Sequence, residues 1–200
     1  MTDAPQRTSV CVFCGSSAGI DPVYVEAARL LGGQMAARRI QLVYGAGDVG
    51  LMGVVADAAL AAGGQVIGYI PQSLVDREVA HEGLTELYVV ETMHQRKAMM
   101  ADRATAFLAL PGGFGTADEL FEILTWAQLG IHEKPIGLAN INGFFDPLLS
   151  WLERATRDGF LRLKHRQLLL VDSDPIQLLD RVLNAPTVAS SDKWVRPDQR

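Results

Sequence analysis

The stretch that decides the fold is Ala106-Phe107-Leu108-Ala109-Leu110-Pro111-Gly112-Gly113-Phe114-Gly115-Thr116-Ala117-Asp118-Glu119. It opens with an apolar run, which predicts a buried strand, and the amphipathic run at 120–126 predicts a helix after the turn. Glycines in the turn let a ligand approach the backbone closely. Because the start of a helix carries the positive end of its dipole, the turn predicts a site for an anion, most often a phosphate.

Thr116 and Glu119 permit a second interpretation of the same turn. Their spacing matches a capping box, in which Thr116 accepts a hydrogen bond from the amide of Glu119 and Glu119 accepts one from the amide of Thr116. A capping box does not require Gly112, Gly113 and Gly115, so phosphate binding is the favoured interpretation. No lysine follows the glycines, and nucleoside triphosphate hydrolysis of the P-loop type is therefore not predicted.

Predicted strands and helices alternate along the chain. The predicted strands lie at 8–14, 41–44, 65–70, 84–90, 106–110, 135–140 and 167–171. The predicted helices lie at 22–39, 51–62, 92–104, from the glycine turn to about 129, 144–157 and 175–183, and the segment 71–83 is predicted to be irregular. Asp21-Pro22 and Asp174-Pro175 are strong signals for helix starts.

The predicted strands are apolar throughout rather than alternating, which is typical of strands covered on both faces. The predicted fold class is therefore α/β, a Rossmann-like doubly wound and mainly parallel sheet with helices on both faces. We predict a single nucleotide-binding domain over 1–187 and a polar C-terminal tail over 188–200. Ligands of such sheets bind beyond the carboxyl ends of the strands, where small-residue turns follow predicted strands at 15–17, 45–50 and 112–116.

The composition of the chain excludes several classes of protein. Its formal net charge is -5, which argues against a nucleic-acid surface. No apolar run is long enough to span a bilayer, and residues 1–9 lack the apolar segment of a secretion signal. We therefore expect a cytoplasmic protein without nucleic-acid or membrane partners.

Cys11 and Cys14 have the spacing of a redox or zinc motif. They fall inside a predicted apolar strand, however, where residues three apart point to opposite faces. Buried free thiols are the better interpretation, and they fit a reducing compartment. The histidines are scattered without the spacing of metal ligands, so no metal site is predicted.

The stretch Gly45-x-Gly47-x-x-Gly50 matches the dinucleotide-binding pattern but follows the second predicted strand rather than the first. The third predicted strand ends without an acidic residue to hold a ribose hydroxyl, so a nicotinamide cofactor is disfavoured. Two interpretations stay open: a turn close to a smaller nucleotide, or a tight structural turn between strand and helix. The same choice stays open for Ser16, which could donate to a phosphate or simply precede a helix.

Arg96 lies on the predicted helix at 92–104, where Met93, Arg96 and Met100 share one face at three-to-four-residue spacing. Lys97 is offset from that face. An arginine on an inward-facing apolar stripe needs an anionic partner, and a phosphate or a carboxylate would serve.

Two motifs together, Met93-His94-Gln95-Arg96-Lys97 and Pro111-Gly112-Gly113-Phe114-Gly115-Thr116-x-x-Glu119, resemble the Lonely Guy (LOG) family. Members of this family are cytokinin-activating nucleoside 5′-monophosphate phosphoribohydrolases, long mislabelled as lysine decarboxylases. The resemblance runs from Cys14-Gly15-Ser16 to Gly159-Phe160. One departure is Ala46, where the family usually has a third glycine.

The resemblance implies a Rossmann-like homodimer whose active sites are shared across the interface. It implies hydrolysis of the N-glycosidic bond of N6-modified adenosine 5′-monophosphates, giving free base and ribose 5-phosphate. Arg96 and Glu119 match the catalytic pair of the family. Glu78, Lys97, Thr125 and the residues at 113–119 match its binding positions.

The residues and the resemblance together predict a substrate-binding set and no cofactor. This set is Ser16, Gly45, Gly47, Glu78, Met93, Lys97, Gly112, Gly113, Phe114, Gly115, Thr116 and Thr125. Two alternatives stay open: a nucleosidase for plain AMP or other nucleotides, and a non-catalytic nucleotide or cofactor carrier, which would not need Glu119. The decarboxylase label finds no support, because no lysine lies in the setting that a pyridoxal enzyme requires.

Overall fold

The computed structural model describes residues 8–75 and 80–186. The strands are β1 Ser9–Phe13, β2 Gln41–Tyr44, β3 Val66–Pro71, β4 Glu86–Val90, β5 Ala106–Ala109, β6 Ile136–Ala139 and β7 Leu169–Asp172. These described strands form one sheet in the order β4-β3-β2-β1-β5-β6-β7. Each neighbouring pair is parallel, which confirms the parallel sheet predicted from the apolar strands.

Helices cover both faces of the sheet, which confirms the doubly wound class. The helices are α1 Pro22–Ala37, α2 Gly50–Ala61, α3 Gln72–Val75, α4 Met93–Arg103, α5 Phe114–Gln128, α6 Asp146–Arg157, α7 Leu163–Arg166 and α8 Pro175–Asn184, with a 3-10 helix at Ile141–Gly143. Buried side chains of α1, α2 and α8 form a core with Cys14 on one face, and those of α4, α5 and α6 form a core with Cys11 on the other. The two cysteines thus point to opposite faces, as predicted.

Two predicted helix starts are confirmed in atomic detail. The carboxylate of Asp21 accepts the Val23 N–H at the start of α1, where proline is the first residue. The carboxylate of Asp174 accepts the Ile176 and Gln177 N–H groups at the start of α8. Each aspartate supplies an acceptor for backbone donors that have no partner within the helix.

The boundary between β1 and β5 is the feature of this topology that forms a site. The chain winds outward from β1 through β2, β3 and β4 and then returns next to β1 as β5, so the loops after β1 and β5 diverge. The Leu110 N–H donates to the Phe13 carbonyl oxygen at 2.9 Å, and the Gly15 N–H donates to the Pro111 carbonyl oxygen at 3.1 Å. These bonds join the turn after β1 to the glycine turn after β5.

Some sequence predictions of the fold are wrong in detail. Strand β4 is not covered on both faces, since Leu87, Tyr88 and Val89 are exposed at the edge of the described sheet. The segment predicted as irregular contains α3, and α7 is not among the predicted helices. Each of these helices is about one turn long, too short to display a helical period in the sequence.

Other predictions concern residues that the structure does not describe. Glu78 and the tail at 188–200 lie outside the described residues, so the domain boundary at 187 stays a prediction. Within 8–75 and 80–186, no helix is both long and apolar enough to cross a membrane.

Candidate active site

Helix α4 carries Arg96 into the protein interior. The hydroxyl of Thr92 caps this helix by accepting the Gln95 N–H at 3.1 Å. Arg96 is only 5% exposed, which confirms that it points inward. Its Nη1 contacts the Met93 Sδ at 3.7 Å, whereas its Nε has no hydrogen-bond partner. A buried guanidinium with an unpaired donor is suited to binding an anion.

Helix α5 carries Glu119 to the same place. The Glu119 side chain is 13% exposed, and its Oε1 lies 3.9 Å from the Arg96 Nη2. This distance is longer than a hydrogen bond, so the pair is held by charge attraction between two largely desolvated groups. The predicted catalytic residues therefore meet, although they come from different helices.

The capping-box interpretation of Thr116 and Glu119 is wrong. Helix α5 begins at Phe114 with Gly113 as its N-cap, so Thr116 is the third residue of the helix. The Thr116 Oγ1 is buried without a hydrogen-bond partner, and the N-cap Gly113 makes no side-chain cap bond. The helix start thus has a glycine instead of a capping side chain at its N-cap, and its backbone donors and dipole favour an anion there.

The three glycines of the turn differ in why they must be glycine. A Cβ at Gly112 would lie 2.1 Å from the Thr116 Oγ1 and 2.8 Å from the Gly15 nitrogen, so the fold itself requires glycine there. A Cβ at Gly113 or Gly115 would meet no atom within 4 Å, and both residues are exposed. Packing does not explain these two glycines, whereas close approach of a ligand does.

Lys97 ties α4 to α5. Its Nζ lies 3.0 Å from the Asp118 Oδ2 and 3.0 Å from the Glu122 Oε2. Burial lowers the pKa of Lys97, but hydrogen bonds and charge from the two carboxylates outweigh it, and the net pKa is raised. Lys97 is therefore a charged link between the helices that carry Arg96 and Glu119. Its predicted contact with substrate stays a prediction.

The turn after β2 owes its glycines to packing. A Cβ at Gly45 would lie 1.7 Å from the Arg96 Nη2, and one at Gly47 would lie 2.5 Å from the Met52 Cε. Gly50 has a φ of +62°, and a Cβ there would lie 2.3 Å from the backbone of Ser16. The structural-turn interpretation is thus sufficient for this motif, and substrate contacts of Gly45 and Gly47 stay predictions.

One cavity of about 330 Å³ opens at the boundary between β1 and β5. Ser16, Gly112 and Gly113 line it, as does the aromatic pair Tyr24 and Phe144, whose rings meet edge to face at 5.7 Å. The sequence interpretation missed both aromatic residues, because they lie on separate elements far apart in the chain and neither directly follows a strand.

Phe114 and Thr125 lie away from the Arg96–Glu119 pair. Both line an open concavity on the outer face of α5, next to Phe121. The Thr125 hydroxyl donates to the Phe121 carbonyl oxygen within its own helix at 2.7 Å. Within the described residues, Phe114 and Thr125 therefore do not lie beside Arg96 and Glu119.

Redox and metal chemistry find no structural support in this region. Burial, followed by the negative charge of Glu119, raises the pKa of both Cys11 and Cys14 above the usual range of a thiol. Both thiols therefore stay protonated at neutral pH, unlike those of a redox motif. Within the described ranges, no three His, Cys, Asp or Glu side chains group as metal ligands do.

Known proteins resemble this chain over most of its length. A family model described as "Possible lysine decarboxylase" matches residues 52–182. A protein of Oryza sativa subsp. japonica named probable cytokinin riboside 5′-monophosphate phosphoribohydrolase LOGL2 is 49% identical, over 86% of this chain and 71% of that protein. The cytokinin riboside 5′-monophosphate phosphoribohydrolase LOG7 of Arabidopsis thaliana is 51% identical, over 80% of this chain and 74% of that protein.

The chain belongs to the Lonely Guy family. The decarboxylase description of the family model does not fit Lys97 or Lys134 of this Lonely Guy protein. Lys97 is held by two carboxylates, and the Lys134 Nζ donates to the carbonyl oxygens of Ala101 at 2.7 Å and Asp102 at 3.3 Å. Neither amine is placed to form a Schiff base with a pyridoxal cofactor.

Solved structures share the fold of this Lonely Guy protein at lower identity. The molybdenum cofactor carrier protein MCP of Chlamydomonas reinhardtii superposes with a TM-score of 0.68 and 21% identity, over 88% of this chain and 98% of that chain. The molybdenum cofactor binding protein of Rippkaea orientalis superposes with a TM-score of 0.68 and 21% identity, over 90% of this chain and 100% of that chain. Identities this low establish a common fold and not a common ligand.

We expect Gly112→Ala to destabilise the protein by about 1–3 kcal/mol, since the added methyl collides with the Thr116 hydroxyl and the Gly15 backbone. Gly33→Ala is the control, because its methyl enters open space within α1 and the free energy of unfolding holds or rises by up to about 1 kcal/mol. Chemical denaturation of the two variants measures both values. Equal losses at the two positions would contradict the packing described for this turn.

Proposed function

We propose that this protein hydrolyses the N-glycosidic bond of nucleoside 5′-monophosphates, releasing free base and ribose 5-phosphate. The proposed substrates are N6-modified adenosine monophosphates (the cytokinin riboside monophosphates), with AMP as a second candidate. The observation that carries the proposal is the largely buried Arg96–Glu119 pair, in which Glu119 lies on a helix whose N-cap is Gly113. The names of relatives at 49% and 51% identity support it.

The chemistry of the pair matches the charge that this reaction develops. Cleavage of the C1′–N9 bond builds positive charge on the ribose and negative charge on the departing base. A carboxylate fixed near the sugar stabilises the first, and we assign this role to Glu119. By analogy with glycosidases, Glu119 acts either as a nucleophile at C1′ or as the base that activates water. Arg96 anchors the substrate and balances the charge of Glu119.

We assign the 5′-phosphate to the start of α5. The exposed backbone at Gly113 and Gly115 leaves room for a phosphate, and Ser16 lines the same cavity as Gly113. Backbone donors and the helix dipole favour a dianion at this position. A nucleoside without its phosphate lacks this anchor and should react poorly.

We expect Glu119→Gln to lower the release of free base from isopentenyladenosine 5′-monophosphate by at least about 100-fold, because the amide keeps the shape but not the charge. Chromatography of the released base measures this, with AMP and isopentenyladenosine run in parallel. The exposed Glu133→Gln is the control and should leave the rate unchanged.

Each other outcome of that experiment has a distinct meaning. Turnover by Glu119→Gln at the wild-type rate would remove Glu119 from the chemistry. Arg96→Ala should be damaged to a similar extent, and a change confined to KM would assign Arg96 to binding alone. Wild-type protein that binds the nucleotide but releases no base would be a carrier instead of an enzyme.

We expect Gly115→Ala to preserve stability while weakening substrate binding. Alanine favours a helix by up to about 1 kcal/mol over glycine and meets no atom here, so the melting temperature holds or rises. Its methyl occupies space assigned to the phosphate, so KM for the monophosphate rises by about tenfold, equivalent to 1.4 kcal/mol of binding.

Gly33→Ala is the control for this variant, because Gly33 is also a helical glycine with open space around it. It should gain stability without any change in KM. A normal KM for Gly115→Ala would place the phosphate somewhere other than the start of α5.

We further propose a homodimer whose active sites are shared. Thr125, six residues beyond Glu119, lies about 9 Å further along α5 and about 120° away from it around the helix axis. Phe121 and Thr125 line both the open concavity of α5 and an apolar one with Trp151 and Phe160. Exposed apolar surface of this kind marks an interface, and a second copy packed there would receive Thr125 in its own site.

Complementation between two inactive variants tests the shared site. We expect light scattering to give twice the chain mass, and Glu119→Gln and Thr125→Ala each to lose activity as homodimers. Coexpression of the two should restore part of the activity, since one site of each mixed dimer then combines an intact Glu119 with an intact Thr125. Mixed dimers without any regained activity would contradict sharing through Thr125.

We propose that the enzyme works in the cytoplasm without a metal or cofactor. The buried free thiols Cys11 and Cys14 fit a reducing compartment. The reaction as proposed needs a carboxylate, a cation and water, which the chain and the solvent provide.

A further inference from the structure

His81 joins three segments of the protein from a buried position. Its backbone N–H donates to the Ala46 carbonyl oxygen at 3.1 Å, which attaches it to the turn after β2. Its Nδ1 accepts the Gly83 N–H at 3.1 Å, and its Nε2 lies 3.0 Å from the Asp57 Oδ1 on α2. Because Nδ1 accepts a backbone donor, the proton of the neutral ring is on Nε2, which donates to Asp57.

The turn that His81 holds is conformationally strained. Ala46 has a φ of +62°, a left-handed conformation that costs a residue with a side chain roughly 1–2 kcal/mol. A bridge between Gly47 and Ala80 adds a second attachment next to the His81 bond. Strained backbone of this kind persists only where neighbouring contacts hold it, and the segment 80–83 supplies those contacts.

The same turn is the wall against which Arg96 packs. Gly45 immediately precedes Ala46, and the Gly45 Cα is so close to the Arg96 guanidinium that a Cβ would lie 1.7 Å from Nη2. This Nη2 is the atom that faces Glu119. A shift of this turn would therefore change the distance between the Arg96 guanidinium and the Glu119 carboxylate.

We propose that His81 is a positioning residue, which sets Arg96 against Glu119 through Ala46 and Gly45. The proposal rests on the catalytic role assigned to Arg96 above. Asp57, its partner in this clamp, is the nearer of two carboxylates at the His81 Nε2, since the Asp48 Oδ1 lies 3.9 Å away. The Asp57 side chain is 72% exposed, so its contact with His81 contributes little to stability. The clamp acts on the geometry of the reacting pair and not on the phosphate site at the start of α5.

The experiment compares His81→Ala, Asp57→Ala and Asp57→Asn, with Glu26→Ala as an exposed acidic control on α1. We expect the two alanine variants of the clamp to lower kcat about tenfold or more, as misplacement of a catalytic group does. KM should change by a smaller factor than kcat, because displacement of Arg96 weakens one substrate contact whereas the start of α5, to which the phosphate is assigned, is not part of the clamp. Asp57→Asn keeps an acceptor oxygen for Nε2–H and should retain the wild-type kcat.

A double-variant comparison distinguishes positioning from general structure. In an Arg96→Lys background, Asp57→Ala should lower kcat no further, because the guanidinium through which the clamp acts is already absent. Multiplied losses in that background would overturn the proposal, as would wild-type kcat in both clamp variants.

A crystal structure of Asp57→Ala tests the proposal without any activity. We expect the Arg96 guanidinium to be displaced from Glu119 in this variant, and an unmoved guanidinium would overturn the proposal. A wild-type protein that releases no base would count against the proposed function alone, since this structural readout stands apart from it.

Discussion

The site depends on one backbone hydrogen bond, from the Gly15 N–H to the Pro111 carbonyl oxygen. It fastens the turn after β1 to the turn after β5 at the point where the winding of the sheet reverses. The backbones are so close there that a Cβ at Gly112 would lie 2.8 Å from the Gly15 nitrogen, and one at Gly15 would lie 3.2 Å from the Gly112 Cα. The position of the whole of α5, and with it Glu119, follows from this contact between two loops.

The second half of the site comes from α4, and charge joins it to the first. Lys97 is held between Asp118 and Glu122 one residue away from Arg96, so the cations of α4 face the carboxylates of α5 along a common seam. The turn after β2 packs against Arg96 of this seam through Gly45. Three elements that are distant in the chain therefore determine one interatomic distance, that between Arg96 and Glu119.

Local pattern was enough to predict the sheet, the inward direction of Arg96 and the glycine turn. Apolar strands and the helix caps at Asp21 and Asp174 are signals within a few residues, and each was confirmed. The capping box failed because Thr116 and Glu119 have the same spacing inside a helix as at its start, and only the backbone shows that Gly113 is the cap.

Contacts between residues far apart in the chain could not be predicted from local sequence patterns. His81 reaches Ala46 and Asp57 because its loop folds back toward the turn after β2 and toward α2. No motif spacing in the sequence predicts these contacts. Likewise, the sequence did not predict that the backbone at Gly45 lies against Arg96 and that at Gly112 against Thr116. A glycine motif signals close approach of some atom to the backbone, and only the fold identifies that atom.

The seam between α4 and α5 also gives the active site a polarity. Arg96 and Lys97 are outnumbered there by the carboxylates of Asp118, Glu119 and Glu122, whereas the start of α5 presents backbone donors and the positive end of its dipole. A phosphate dianion is thus repelled at one end of the site and attracted at the other. For the nucleotide substrate proposed above, this polarity favours one orientation, with the phosphate toward the glycines and the sugar toward Glu119.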